Sequence, residues 1–158
     1  MDHSIYPLTL FYDAGCPVCS LEMDHLRERS RDGRLVFVDI SAPGFDAAAH
    51  GVSLAAMDAE IHGRAADGRW LRGVEVLRLA YEAAGLGWVL RPTGWPALRP
   101  LADAGYRIFA RHRRSLSRAA APLIEAVRAG RARRLAERMR DCRSGVCGIG
   151  SDRRGRPS

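Results

Sequence analysis

The chain has 158 residues, of which 47% are hydrophobic and 27% are charged, and its formal net charge is +7. This length is enough for one domain with a buried core, and the composition is typical of a soluble globular protein. No run of about 18 uncharged apolar residues occurs, so we expect no transmembrane helix. The first residues lack the basic and apolar segments of a secretory signal, so we expect no such signal.

The charge is unevenly distributed along the chain. Residues 1–106 contain 10 arginines and 14 acidic residues, a balance of −4, whereas residues 107–158 contain 15 arginines and 4 acidic residues, a balance of +11. The basic C-terminal third is either a solvated helix face or a binding surface for an anionic partner, such as a membrane surface or nucleic acid.

Four cysteines form two close pairs, Cys16/Cys19 and Cys142/Cys147. A secreted disulfide scaffold uses more cysteines in a shorter chain, so these pairs indicate redox chemistry or metal binding in a reducing compartment. We therefore expect a cytoplasmic protein.

The first 85 residues predict alternating strands and helices. A β-rich run at Leu8–Tyr12 stops at a turn, and Pro17, favoured at the first helical position, begins a helix that extends to about Ser30. The next strand, at 35–40, hardly alternates between apolar and polar residues, which indicates burial on both faces. After it we predict a weaker helix at 45–56, a hairpin of strands at 59–64 and 69–72, and a helix at 73–84.

The order β-α-β-α-β-β-α predicts a thioredoxin-like α/β fold, with a mixed four-stranded sheet and helices on both faces. A connector containing Pro and Trp follows at 88–100, and then two helices are expected at 101–116 and 119–139. Gly130 is expected to interrupt the second of these. We therefore expect a thioredoxin-like domain at 1–87, a helical, Arg-rich extension at 88–141 and a Cys-containing flexible tail at 142–158.

The Cys16-Pro17-Val18-Cys19 motif falls at the first strand-to-helix turn, where a helix start favours a thiolate. A free cysteine with a pKa of roughly 8.5 is only about 3% ionised at neutral pH, and lowering this pKa to about 7 requires roughly 2 kcal/mol. We predict that Cys16 is the nucleophile, and that Cys19, further into the helix and less exposed, is the resolving thiol. Asp13 is expected either to relay protons or to hold the loop through an Asx turn, as a third site residue.

The sequence also allows other functions for the cysteines. Cys142 and Cys147 form a second dithiol that exchanges with the first, or complete a zinc site with Cys16 and Cys19, or do neither. The rival to an enzyme is a non-catalytic adaptor of the same fold, either zinc-bound or binding an anionic surface.

The segment from Phe11 to Cys19 resembles the signature of the thiol–disulfide oxidoreductase DCC family, which is named for its Asp-x-x-Cys-x-x-Cys motif. Asp13, Cys16 and Cys19 match this motif one for one. Further segments with the same resemblance lie at 38–41, 61–70, 73–77 and 106–113. The resemblance covers about residues 7–114 and implies a thioredoxin-like fold with redox activity.

Together the residues and the resemblance predict dithiol–disulfide exchange that needs no organic cofactor. The expected substrate is a thiol or disulfide of a protein or of a glutathione-like small molecule. Thioredoxins and glutaredoxins grip the substrate backbone with a cis-proline before the third strand, but no proline occurs here between Pro43 and Pro92. That gripping device is therefore not expected.

Overall fold

The computed structural model describes residues 5–30 and 32–143, and for residues 138 and 141–143 it describes the backbone alone. It has two compact units, Met1–Ala121 and Pro122–Ser158. The predicted boundaries at residues 87 and 141 stay predictions.

The first unit contains a four-stranded mixed sheet with the strand order β2-β1-β3-β4. β1 pairs in parallel with β2 and antiparallel with β3, and β3 pairs antiparallel with β4. The strands are β1 (Leu8–Tyr12), β2 (Leu35–Asp39), β3 (His62–Arg64) and β4 (Trp70–Arg72). This order and these directions confirm the predicted thioredoxin-like sheet.

Helices cover both faces of the sheet because β1 alternates its side chains between two apolar clusters. Leu8 and Leu10 pack in a cluster that includes Met23 and Val76, whereas Phe11 packs with Ile40 and Met57. The α-helices are α1 (Pro17–Arg29), α2 (Leu54–Ala59), α3 (Val74–Ala83), α4 (Gly87–Leu90) and α5 (Arg99–Arg143).

The strand β2 differs from its prediction. It lies at the edge of the sheet, only its first residue Leu35 is buried, and Val36 is 43% exposed. The expectation of burial on both faces is therefore wrong. An apolar run without alternation also suits an edge strand, because apolar side chains occur on protein surfaces as well as inside.

The weak helix expected at 45–56 is divided into two pieces. A short 3-10 turn, Ala48–His50, ends at Gly51, which has a φ of 71°. α2 begins three residues later because the Ser53 hydroxyl accepts a hydrogen bond from the Ala56 N–H at 3.2 Å, as an N-cap does. α2 then continues to Ala59, so β3 is shorter than predicted.

The two helices predicted at 101–116 and 119–139 form one helix, α5. Residues 117 and 118 include neither Gly nor Pro, so no residue there ends the helix. Gly130 lies within it because one glycine costs a helix only about 1 kcal/mol. The predicted interruptions are therefore wrong, and the division into units falls at Pro122, a residue that cannot donate a helical hydrogen bond.

Candidate active site

The turn between β1 and α1 is held by Asp13. Its carboxylate Oδ1 accepts a hydrogen bond from the Gly15 N–H at 2.8 Å, and its carbonyl accepts one from the Cys16 N–H at 3.2 Å. This is the Asx turn that was one of the two roles expected for Asp13. The turn brings the chain directly from the centre of the sheet to the first residue of the cysteine motif.

Cys16 lies at the N-cap of α1, with an extended backbone and with Pro17 following at the first helical position. Its carbonyl accepts the first helical hydrogen bond, from the Ser20 N–H at 2.9 Å. Cys19 lies within the first turn of the helix, and the two sulfurs are free thiols in hydrogen-bond contact. The structure therefore brings together Asp13, Cys16 and Cys19, as the motif predicts.

The exposure of the two cysteines is the reverse of what the sequence predicts. Cys16 is 2% exposed, whereas Cys19 is half-buried. The expectation that Cys19 is the less exposed thiol is wrong because Ser117 of α5 packs against Cys16. Ser117 is itself 1% exposed, and its Oγ lies 3.4 Å from the Cys16 Sγ.

The pKa values of the two thiols are shifted in opposite directions. The pKa of Cys16 is lowered from 9.0 to about 5, first by the hydrogen bond from the Cys19 thiol and then, against the opposing effect of burial, by the Ser117 hydroxyl. The Cys19 N–H and the charge of Arg113 lower this pKa further. The pKa of Cys19 is raised, because its proton is shared with the Cys16 sulfur and because the thiol is desolvated. The pair therefore holds one proton on Cys19 and one negative charge on Cys16.

Arg113 of α5 provides the positive charge beside the pair. Its side chain is 8% exposed, and its guanidinium donates to the Asp58 carboxylate at 2.7 Å. The second carboxylate oxygen of Asp13 lies 3.8 Å from the same guanidinium. Arg114 donates to both carboxylate oxygens of Asp58, at 2.9 and 3.0 Å. Asp58 and Asp13 thus hold Arg113 in place next to the thiols.

Tyr106, also of α5, contacts the sheet near the pair. Its hydroxyl accepts a hydrogen bond from the Ile61 N–H at 2.9 Å, just before β3 begins. Burial raises the pKa of Tyr106 to about 12, so this hydroxyl stays protonated in the physiological range. The first half of α5 therefore lies across the end of the sheet where β1 and β4 end and β3 begins.

An apolar cavity of about 280 Å³ lies between α1, α3 and α5. Cys19 lines it, whereas Cys16 does not. The cavity is therefore next to the half-buried thiol of the pair.

Three residues of this site, Tyr106, Arg113 and Ser117, are not identified by the sequence-based predictions. Tyr106 and Arg113 begin and end the segment 106–113 that carries part of the family resemblance, so that segment was the available signal. Ser117 lies outside the resembling segments, and no sequence pattern indicates it.

The second predicted dithiol lies outside the described residues, since the side chain of Cys142 and all of Cys147 are beyond them. The alternative zinc site of Cys16, Cys19, Cys142 and Cys147 requires these same residues. Among residues 5–30 and 32–143, no group of three or more His, Cys, Asp or Glu is arranged to hold a metal ion.

A CxxC pair at the first strand-to-helix turn, on a sheet of order β2-β1-β3-β4, defines a thioredoxin-fold protein with a dithiol site. The comparison with known families agrees with this class. The sequence model of the DCC1-like thiol-disulfide oxidoreductase family matches residues 10–119, and the chain belongs to that family.

The chain is also similar to a curated plant protein. An uncharacterized protein of Arabidopsis thaliana, described as chloroplastic, is 34% identical over 124 residues, which cover 77% of this chain and 57% of the relative. This chain therefore spans little more than half the length of that relative. No solved structure matches the chain. None of the helices in the described part of the chain has the length and hydropathy needed to cross a membrane.

Proposed function

We propose that the protein catalyses dithiol–disulfide exchange through Cys16 and Cys19. The observation that carries the proposal is the contact of the Cys16 sulfur with the Cys19 thiol and the Ser117 hydroxyl at the start of α1, because these donors favour the thiolate, the attacking form of cysteine in this reaction. Cys16, with a pKa of about 5, is ionised at neutral pH, and Cys19 holds the proton. The family to which the chain belongs supports the same chemistry.

The reduced protein reacts in two balanced steps. The Cys16 thiolate attacks one sulfur of a substrate disulfide, the substrate S–S bond breaks, and one substrate thiolate leaves and takes up a proton. Cys19 then loses its proton and attacks the Cys16 sulfur, so that the Cys16–Cys19 disulfide forms and the second substrate thiolate leaves. The substrate gains two electrons and the pair loses two. Two equivalents of a thiol reductant return the pair to the dithiol.

Three further residues support this reaction in the proposal. Arg113 and the Ser117 hydroxyl stabilise the thiolate before attack and again when Cys16 becomes the leaving group in the reverse reaction. Asp13 is a positioning residue, since it shapes the turn that presents Cys16 and holds Arg113. Because Ser117 covers Cys16, a substrate disulfide approaches the pair from the side of Cys19.

The substrate class and the location of the protein are also part of the proposal. The substrate is a thiol or disulfide, and the four cysteines in two close pairs suit a reducing compartment such as the cytoplasm. The proposed anionic partner of the C-terminal arginines and the proposed exchange with Cys142/Cys147 both rest on the sequence.

The proposal is tested by trapping the intermediate. The Cys19→Ser variant keeps a hydroxyl that donates to Cys16 but cannot resolve a mixed disulfide. Incubated with a small disulfide such as bis(2-hydroxyethyl) disulfide, it should accumulate one adduct on Cys16, which peptide mass spectrometry locates. The matched Cys16→Ser variant should form far less adduct at neutral pH, because burial still raises the pKa of Cys19 when the contact with Cys16 is gone.

The pH dependence of alkylation provides a second measurement of the same proposal. The rate of reaction of Cys16 with iodoacetamide should be half-maximal near pH 5 and flat at neutral pH, since the rate follows the thiolate fraction. A midpoint at roughly pH 8.5, the value of an ordinary thiol, together with no adduct in the Cys19→Ser variant, contradicts the proposal.

A further inference from the structure

The cavity beside Cys19 is lined mainly by apolar side chains. Its volume is about 280 Å³, and residues of α1, α3 and α5 form most of its wall. The apolar side chains that line it include Val18, Met23, Met57, Ile61, Leu77 and Phe109. Phe109 is 36% exposed, so this edge of the cavity is open to solvent.

Polar groups in the cavity wall already have partners within the protein. The Tyr106 hydroxyl binds the Ile61 N–H, and Arg113 binds Asp58. The Tyr81 hydroxyl is hydrogen-bonded to Glu22. Each charged group of the wall already has a partner, since Asp13 also lies 3.8 Å from Arg113, so a charged ligand would lose its hydration for little compensation. The cavity therefore favours an uncharged apolar group.

The Ile61 N–H also indicates what kind of molecule carries that group. This backbone donor lies where β3 begins, next to the cavity, and an extended peptide substrate would need such a free backbone N–H to hydrogen-bond with its own carbonyl groups. Here the Ile61 N–H already donates its hydrogen bond to the Tyr106 hydroxyl, at 2.9 Å. A small molecule needs no such pairing, and the volume lies near the lower limit of roughly 300 Å³ for ligand pockets. The cavity thus has room for a ring or a branched alkyl group.

We propose that the substrate is a small apolar thiol or its disulfide, whose compact alkyl or aryl group sits in the cavity and places its sulfur against the Cys16–Cys19 pair. The inference rests on the proposed function and specifies its substrate class. It uses the same exchange: two molecules of the apolar thiol supply the two electrons and two protons that reduce the protein disulfide to the dithiol, and they leave joined as their own disulfide. Glutathione-like thiols, which carry two carboxylates, are poor substrates.

The test compares three thiols as reductants of the oxidised full-length protein. The thiols are phenylmethanethiol, 2-mercaptoethanol and glutathione, and the appearance of the free Cys16/Cys19 dithiol is followed by acid quenching and mass spectrometry. Each rate constant is divided by that of the same thiol with free bis(2-hydroxyethyl) disulfide, which removes differences in intrinsic reactivity. The normalised constant of phenylmethanethiol should exceed the other two by at least about tenfold, given the burial of one aromatic ring.

Two variants of the cavity and one control locate the effect. Ala110→Leu adds bulk at a buried residue that lines the cavity, and Phe109→Ser removes apolar surface at its open edge. Each should reduce the preference for phenylmethanethiol severalfold, with folding checked by circular dichroism. Ala104→Leu, at an exposed position of the same helix, makes the same change in side-chain size and should leave the preference intact.

The outcomes separate the substrate from the chemistry. Equal normalised constants for the three thiols, or a preference that survives both cavity variants, overturn the apolar substrate while leaving the exchange reaction in place. A protein disulfide that reacts with all three thiols no faster than the free disulfide does overturns the exchange reaction itself and the inference with it.

Discussion

The neighbours of the two cysteines, rather than their residue type, determine which sulfur carries the charge. The hydrogen bond from Cys19 makes the largest contribution to the low pKa of Cys16, and the Ser117 hydroxyl makes the next favourable one. The Cys19 N–H, the helix-start amide on which the sequence-based prediction rests, contributes less than either. The ionisation of Cys16 therefore depends on a side chain that lies 101 residues away in the chain.

Replacing Ser117 tests this dependence at the scale of one residue. In Ser117→Ala the buried thiolate loses a hydrogen-bond donor, and we expect the pKa of Cys16 to rise by about 1 unit, as a hydrogen bond to a charged group is worth roughly 1.5 kcal/mol or more. The midpoint of the iodoacetamide rate against pH measures the change. Ser115→Ala, at an exposed position two residues earlier, should leave the midpoint where it is. Identical midpoints for the two variants would show that Ser117 only fills space.

At the scale of elements, the sequence predicts those whose pattern is local. β1, α1, the hairpin and α3 lie close to their predicted positions because each has an apolar period and a turn or cap residue at its ends. The edge position of β2 was missed because burial depends on strand order, which the pattern within one strand does not contain. The continuity of α5 was missed because a break was expected between residues 116 and 119, where no Gly or Pro occurs, and at Gly130, which a long helix tolerates at a cost of about 1 kcal/mol.

Only part of the candidate site was predictable from the sequence. Asp13, Cys16 and Cys19 lie within seven consecutive residues, so their association was predictable from the motif and the strand-to-helix turn. Arg113 and Ser117 come from α5, and their contacts with the pair depend on how that helix crosses the end of the sheet. Neither periodicity nor composition specifies such a crossing.

Gly63 of β3 shows how closely α3 packs on the sheet. A Cβ at this residue would lie 3.0 and 3.2 Å from the methyl carbons of Val76 and 3.3 Å from a methyl carbon of Leu8. We expect Gly63→Ala to destabilise the protein by about 1–3 kcal/mol, since added volume in a packed core forces its neighbours apart. The free energy of unfolding in urea measures this effect.

Gly105→Ala is the matched control for that substitution. Gly105 lies within α5, and a Cβ at this residue would have no atom within 4 Å outside the helix's own backbone and its chain neighbours. Because alanine favours a helix more than glycine does, this change should stabilise the protein by up to about 1 kcal/mol. Equal effects of the two substitutions would contradict the close packing of β3 against α3.

At the scale of the whole molecule, the Cys16 thiolate links stability to pH. Its pKa is about 5 in the folded protein and near 9.0 in an unperturbed thiol, so between these values the unfolded chain binds more protons than the folded one. The contribution to stability is therefore complete above about pH 9, declines as the pH falls, and is lost below the folded pKa.

This linkage is measured with the reduced protein and the Cys16→Ser variant. The free energy of unfolding of the wild type should rise relative to that of the variant from about pH 5.5 to about pH 8, because only the wild type has the depressed pKa. Ionisable groups common to both proteins cancel in the difference. Parallel curves across this range would mean that Cys16 is protonated in the folded protein.

The long separation between the cysteine motif and α5 has a consequence for synthesis of the chain. A ribosome adds roughly 5–20 residues per second, so Cys16 is made about 5–20 s before Ser117, which follows it by 101 residues. During that interval the nascent polypeptide has both thiols but lacks the hydroxyl and the guanidinium that α5 supplies. Full acidity of Cys16 is thus acquired late, after translation has passed residue 117.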